Sequence, residues 1–275
     1  MPIQPLTLRN PLLRLNVTFF SVVLLLLGCD GGSKTPGEVP EGVSGTTDDR
    51  PALTQVPGDA RLKVGKQLLV SGRLDESLII FDTVLQDRPD LARAHFLKGM
   101  ALHGKKSHAQ ALSQYLKAEA LEQAFAEYGL LDYYIAWSAF YAGDSELSRV
   151  RVERSLQDAP EQADTTFLAG LLAFNDDRLE AAEDSFRRVL EYAALEPEPI
   201  RSRELRRAWI RLSDVLARGE RQDEALEAII NAIEISPEFA ESWFRKGSLL
   251  SRLGRESEAE EALARWRELG GGSGS

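Results

Sequence analysis

Cysteine and histidine most readily supply nucleophiles, general bases and metal ligands at neutral pH. This chain of 275 residues holds one cysteine, Cys29, and three histidines, His95, His103 and His108. A single cysteine excludes an internal disulfide, a thiolate metal cluster and a catalytic thiol anywhere beyond residue 29. His103 and His108 flank a Gly-Lys-Lys-Ser turn with no acid or thiol at ligand spacing, so they read as surface or capping residues and no metal site is expected. The 43 acidic residues are spread along the chain as solubility requires, and no nucleophile is set beside a base or a paired carboxylate. Catalysis is therefore not expected, and no cofactor is implied. A formal net charge of -10 makes the chain a poor phosphate binder, which argues against nucleic acid as a partner. Gly28-Cys-Asp-Gly-Gly-Ser33-Lys34-Thr35 approaches the spacing of a phosphate-cradling loop, with Ser33 in place of the second glycine. Such a loop needs a strand before it and a helix after it. Here Pro36-Gly37 follows, so no nucleotide is expected.

The chemistry at Cys29 depends on what precedes it. Arg9 and Arg14 lie in a segment without acids, and residues 17–27 are apolar apart from Thr18 and Ser21. That run has the length of a signal-peptide core and is well short of the ~20 residues a spanning helix needs. It ends in Leu26-Leu27-Gly28-Cys29, which resembles the lipobox of bacterial lipoproteins. The resemblance implies cleavage after Gly28, acylation of Cys29, and export of residues 29–275 on a lipid anchor. Each buried methylene of such chains contributes ~0.8 kcal/mol, so two or three acyl chains hold a protein stably to a bilayer. Asp30 resembles the signal that keeps enterobacterial lipoproteins in the inner membrane. The expected location is thus the periplasmic side of that membrane, with the outer membrane as the alternative. Residues 29–57 shift to Gly, Pro, Ser, Thr and Asp and read as a disordered tether, with an average reach of about 30 Å.

From residue 58 onward the chain repeats itself. A small residue recurs at Gly65, Gly99, Ala136, Gly170, Ser213 and Gly247, with separations of 34, 37, 34, 43 and 34. Ser77, Ala111, Ser148, Ala182, Ala225 and Ala259 keep the same separations, and Val84, Ala118, Ser155, Val189, Ala232 and Trp266 do so again. Glycine inside a helix costs ~1 kcal/mol relative to alanine, so a repeated helical glycine calls for a close approach. The expected arrangement sets each glycine against Ala111, Ala182, Ala225 or Ala259 on the following helix. Ser71-Gly72, Gly143-Asp144, Asp176-Asp177 and Gly254-Arg255 signal turns inside the pairs, and Pro89, Pro160 and Pro237 end them.

These registers resemble the tetratricopeptide repeat family, with Trp209, Leu212, Ser213, Ala225, Ala232 and Pro237 carrying the fifth unit. The resemblance implies an all-α, right-handed superhelical solenoid of about six helix-turn-helix repeats over residues 58–270. The units fall near 58–91, 92–125, 129–162, 163–196, 206–239 and 240–270, and 271–275 form a Gly/Ser tail. Two insertions interrupt the period, about three residues around Gln123 to Tyr128 and about nine between Leu190 and Arg206. The second admits either a longer helix or a loop.

In that family the first helix of each pair lines a concave groove that takes a peptide or a partner helix. Matched position by position, the groove residues here are Phe96, Met100, Tyr133, Trp137, Phe140 and Tyr141, followed by Phe167, Leu171 and Phe174. Their alternative role is packing between repeats, with Trp137 and Tyr141 expected to stay the most available. The lysine and asparagine clamp of the cochaperone branch is missing, since Leu62, Lys66 and Leu97 occupy its matching positions. Arg201, Arg203, Arg206, Arg207 and Arg211 form either an acidic-partner patch or a solvated helix face. The function expected is a membrane-anchored scaffold for an envelope protein complex, comparable to the repeat-bearing lipoproteins of pilus, secretion and outer-membrane assembly machines. An accessory regulator that recruits a cell-wall enzyme is the alternative.

Overall fold

The computed structural model describes residues 54–55 and 58–271. The expected signal peptide, the acylation site, most of the tether and the last four residues lie outside them.

The described residues contain twelve α-helices joined in antiparallel pairs: α1 (Arg61–Val70) with α2 (Leu74–Asp87), α3 (Ala92–Gly104) with α4 (His108–Ala120), α5 (Leu131–Ala142) with α6 (Ser145–Asp158), α7 (Ala163–Asn175) with α8 (Leu179–Ala193), α9 (Ile200–Arg218) with α10 (Gln222–Ile235), and α11 (Ala240–Arg252) with α12 (Glu256–Glu268). They fall into two compact units that divide inside α6, between Arg151 and Val152. Phe81, Phe96, Tyr115 and Tyr134 are the largest fully buried side chains of the first unit, and Leu168, Phe186, Leu212, Ile229 and Leu250 are among those of the second.

The repeated glycines are packing sites, but the group opposite differs from the expected alanines. A Cβ on Gly65 would stand 2.4 Å from the Phe81 ring, on Gly99 2.6 Å from the Tyr115 ring, on Gly170 2.7 Å from the Phe186 ring and on Gly247 2.7 Å from Leu263. Each of these residues lies four positions, one helical turn, after the small residue of the second helix. Ser77, Ala111, Ala182 and Ala259 are themselves fully buried. The small residue therefore brings the two helices together, and the glycine leaves the hollow that the next turn's large side chain fills. Where Ser213 replaces the glycine, the corresponding position carries Ile229 in place of a ring, and the Ser213 hydroxyl donates to the Ala225 carbonyl at 2.8 Å.

A further register follows the same spacing. Among the described residues, those with positive φ are Gly72, Lys106, Gly143, Asp177, Glu220 and Gly254 in the turns inside the six pairs, together with Glu122 and Gly270 elsewhere. Three pairs thus place a non-glycine residue where left-handed backbone is required, which disfavours any side chain bearing a Cβ.

Both insertions acquire definite structure. The nine-residue insertion extends α9, 19 residues long against 10 to 13 for the other leading helices. The shorter one forms a strand, β2 (Gln123–Ala124), and a single 3-10 turn at Tyr128–Leu130. Against β2 lies β1 (Thr54–Gln55), paired in parallel with Thr54 opposite Gln123 and Gln55 opposite Ala124. This corrects the assignment of all residues 29–57 to a tether. The carboxamide of Gln123 bonds the backbone around Asp90 to Ala92 and so fixes the connection to which Thr54 and Gln55 pair.

Gly99→Ala tests the ring-in-hollow packing. Alanine's helix propensity alone would stabilise by ~1 kcal/mol, whereas displacing the buried Tyr115 ring should cost about 1–3 kcal/mol by overpacking. A net loss of stability in urea unfolding is the expected result.

Candidate interaction surfaces

In the first unit, most of the face proposed for a partner is taken by the protein itself. Phe96 is fully buried, its ring 5.5 Å from Tyr115, 5.3 Å from Phe125 and 5.5 Å from Tyr134. Phe125 belongs to the connection between α4 and α5, so the short insertion folds back over this ring. Glu127 fastens it there. The residue is 3% exposed, and its carboxylate accepts from Lys66 Nζ of α1 at 3.1 Å, and from Arg93 Nε and Nη2 of α3 at 3.0 and 2.9 Å. Burial alone would raise the Glu127 pKa, but the Arg93 guanidinium and the Lys66 ammonium outweigh it and hold the group below the usual glutamate value.

A second buried ion cluster ties the later helices of this unit. Arg151 of α6 bonds Glu119 of α4 through Nη2 at 2.7 Å and Asp132 of α5 through Nη1 at 2.8 Å. Met100 and Tyr133 are buried, and the Tyr133 ring lies 5.0 Å from that of Tyr134. Trp137 is buried as well, which departs from the expectation that it stays available; Phe140 and Tyr141 pack against its ring at 6.2 and 5.6 Å. Phe140 is half-buried. Tyr141 is the exception, 53% exposed.

In the second unit the aromatic residues and the arginine run meet. Arg207 lies over the Phe167 ring at 4.2 Å while bonding Asp164 at 3.1 Å and Glu204 at 2.8 Å. Arg218 lies over Phe174 at 4.0 Å, and Arg206 over Phe239 at 4.1 Å. Arg211 pairs with Asp214 at 3.1 Å, Arg203 with the buried Glu204 at 2.9 Å and Arg201 with Glu198 at 2.8 Å. Much of the arginine series is therefore committed to carboxylates and rings of its own unit, where guanidinium planes cover apolar faces that would otherwise be wet. Phe167 is buried, its ring also 5.4 Å from Phe186, and Leu171 and Phe174 are half-buried. Sequence reasoning took the rings and the arginines as separate features. Their pairing was not visible because the partners lie about 40 residues apart.

His95 bonds Gln114 and the Pro89 carbonyl, at 2.8 and 2.9 Å. Among the described residues, no group of three or more His, Cys, Asp or Glu side chains is placed to hold a metal ion.

The Glu127 cluster has a pH signature. A carboxylate held below its unfolded pKa stabilises the fold above that pKa, and the contribution disappears as pH falls through the folded value. Glu127→Gln should cost about 1–3 kcal/mol at pH 7, the upper part of the range for a pair this enclosed. The difference from the parent should shrink on acidification below about pH 4.5, near the ordinary glutamate pKa. Urea unfolding at pH 7 and in the acid limb measures both.

Comparison with known proteins places this architecture. The chain aligns in structure with a chain of the APC/C hetero-tetramer Cut9–Hcn1, at TM-score 0.63 and 17% identity over 76% of this chain and 39% of that one. It aligns with YrrB, described as a TPR protein with an unusual peptide-binding site, at TM-score 0.53 and 20% identity over 66% of this chain and 88% of that one. With pilF of Pseudomonas aeruginosa the TM-score is 0.60 at 16% identity, over 78% of this chain and 92% of that one. No curated protein sequence matches significantly. The family model for the tetratricopeptide repeat matches residues 62–128, 133–198 and 210–273, well over half the chain. With paired helices, rings seated over glycines and turns at one repeated spacing, the chain belongs to the tetratricopeptide repeat family.

Proposed function

We propose that the protein is a protein–protein interaction scaffold of the bacterial cell envelope, held to a membrane through an acylated Cys29. The repeat fold is one of interaction modules, and its surface in the first unit carries one feature that packing does not explain. Among the rings proposed to meet a partner, Tyr141 alone is more than half exposed, while its ring is held in place by stacking. A rigid, exposed tyrosine offers a partner contact area at little entropic expense, the property of residues that dominate binding energy. The anchor rests on Leu26-Leu27-Gly28-Cys29 and the apolar run before it. The inner membrane is favoured by Asp30.

Two measurements test the two halves of this reading. Cys29→Ser should yield an exported protein without acyl chains, recovered in the soluble fraction; retention on membranes in high salt would remove lipid as the main anchor. Tyr141→Ala should reduce capture of the native partner at least tenfold while costing only about 0.5–1.5 kcal/mol of stability through its lost stacking, too little to unfold the chain. Loss of binding only in proportion to unfolding would assign Tyr141 to structure alone.

A further inference from the structure

Tyr141 is braced by two rings, and a lysine stands beside one of them. The ring stacks on His108 of α4, with centroids 4.4 Å apart and planes 25° apart, and on Trp137, at 5.6 Å and 25°. Trp137 Nε1 and His108 Nδ1 are both buried and neither has a hydrogen-bond partner among the described residues. An indole N–H can only donate. Beside His108 stands Lys106, exposed and close enough for its charge, after burial, to push the His108 pKa down. Lys106 makes no ion pair among the described residues, whereas its neighbour Lys105 is paired with Asp75.

The backbone adds an independent observation. Lys106 has φ of 60° at the turn position where three other repeats place glycine. A lysine there holds a conformation that glycine would adopt without strain, and such residues often mark function. The side chain that this conformation retains is the unpaired cation.

We propose that Lys106 and Tyr141, the latter braced on His108 and Trp137, form the docking point for an acidic segment of a partner protein, in which an apolar or aromatic side chain lies on Tyr141 and flanking carboxylates take the ammonium of Lys106. An acidic segment supplies the counter-ion that Lys106 lacks. The site is separate from Leu62, Lys66 and Leu97, the positions that match the family's carboxylate clamp. It rests on the interaction reading above and specifies the chemistry of the partner.

The probe is an acetylated, amidated pentapeptide with one phenylalanine between two pairs of glutamates, compared with its counterparts carrying lysines and glutamines. In the 15N-labelled chain each is followed by the indole N–H signal of Trp137, assigned through Trp137→Phe. The glutamate peptide should move that signal and the amides of Lys106 and His108, and the other two peptides should not. Lys106→Gly suits the backbone at that turn and removes only the cation; it should weaken binding at least tenfold with stability unchanged or raised. Tyr141→Ala should weaken it similarly. Equal responses to glutamate and lysine peptides, an unmoved Trp137 signal, or undiminished binding in Lys106→Gly would each overturn the proposal. Loss of partner capture by Tyr141→Ala without acidic selectivity would keep the interaction reading and discard the acidic partner.

Discussion

The seating of a large side chain in the hollow over a glycine is the contact from which the rest of this protein follows. It appears at Gly65 with Phe81, Gly99 with Tyr115, Gly170 with Phe186 and Gly247 with Leu263. In each pair the glycine sacrifices helix propensity, and the seated ring or leucine returns more than that through apolar burial. Because the hollow and the side chain lie on facing helices, the contact fixes both separation and register. A pair held in register presents a defined outer face to the next, and stacking then needs only complementary apolar residues. The turn inside each pair inherits the constraint, since bringing the second helix back at this distance requires left-handed backbone even where the residue is Lys106, Asp177 or Glu220.

That rigidity explains how charged and aromatic groups come to be placed where the chain has no local reason to put them. Lys66 and Arg93 sit on successive leading helices, and their fixed spacing makes a seat for one carboxylate, which Glu127 occupies. In the second unit, Arg207 and Arg218 of α9 reach back to the rings of α7. Both arrangements cover apolar or charged surface that an interaction module could otherwise offer. What stays open is correspondingly specific: a tyrosine stacked from beneath and a lysine held at a strained turn.

The period, the helix pairs and the turns were legible in the sequence because each is local or recurs. Three registers moving with identical separations fix a repeat even where a single motif would be ambiguous. The rings opposite the glycines were less legible, since Phe81, Tyr115, Phe186 and Leu263 share size but not residue type. The Glu127 cluster could not be read at all. Its partners are 61 and 34 residues away, and nothing in a lone glutamate within an irregular connection distinguishes it from a solvated one. The candidate surface was legible as a set of aromatic residues on leading helices; which of them remain exposed depends on how the 123–130 connection folds, and periodicity does not describe that connection. Trp137 illustrates the difference, apolar and well placed by register, yet covered by its neighbours.

The pairing of Thr54 and Gln55 with Gln123 and Ala124 also has a mechanical side. A pull on the chain from its N-terminal direction is met first by these backbone hydrogen bonds, before the load reaches α1. The strands are parallel, so the bonds respond according to the direction of the force: drawn along the strand they are loaded together, peeled sideways they break in succession. The first unit therefore has a small, directional fuse ahead of α1, able to release a few residues of slack while the helix pairs stay intact.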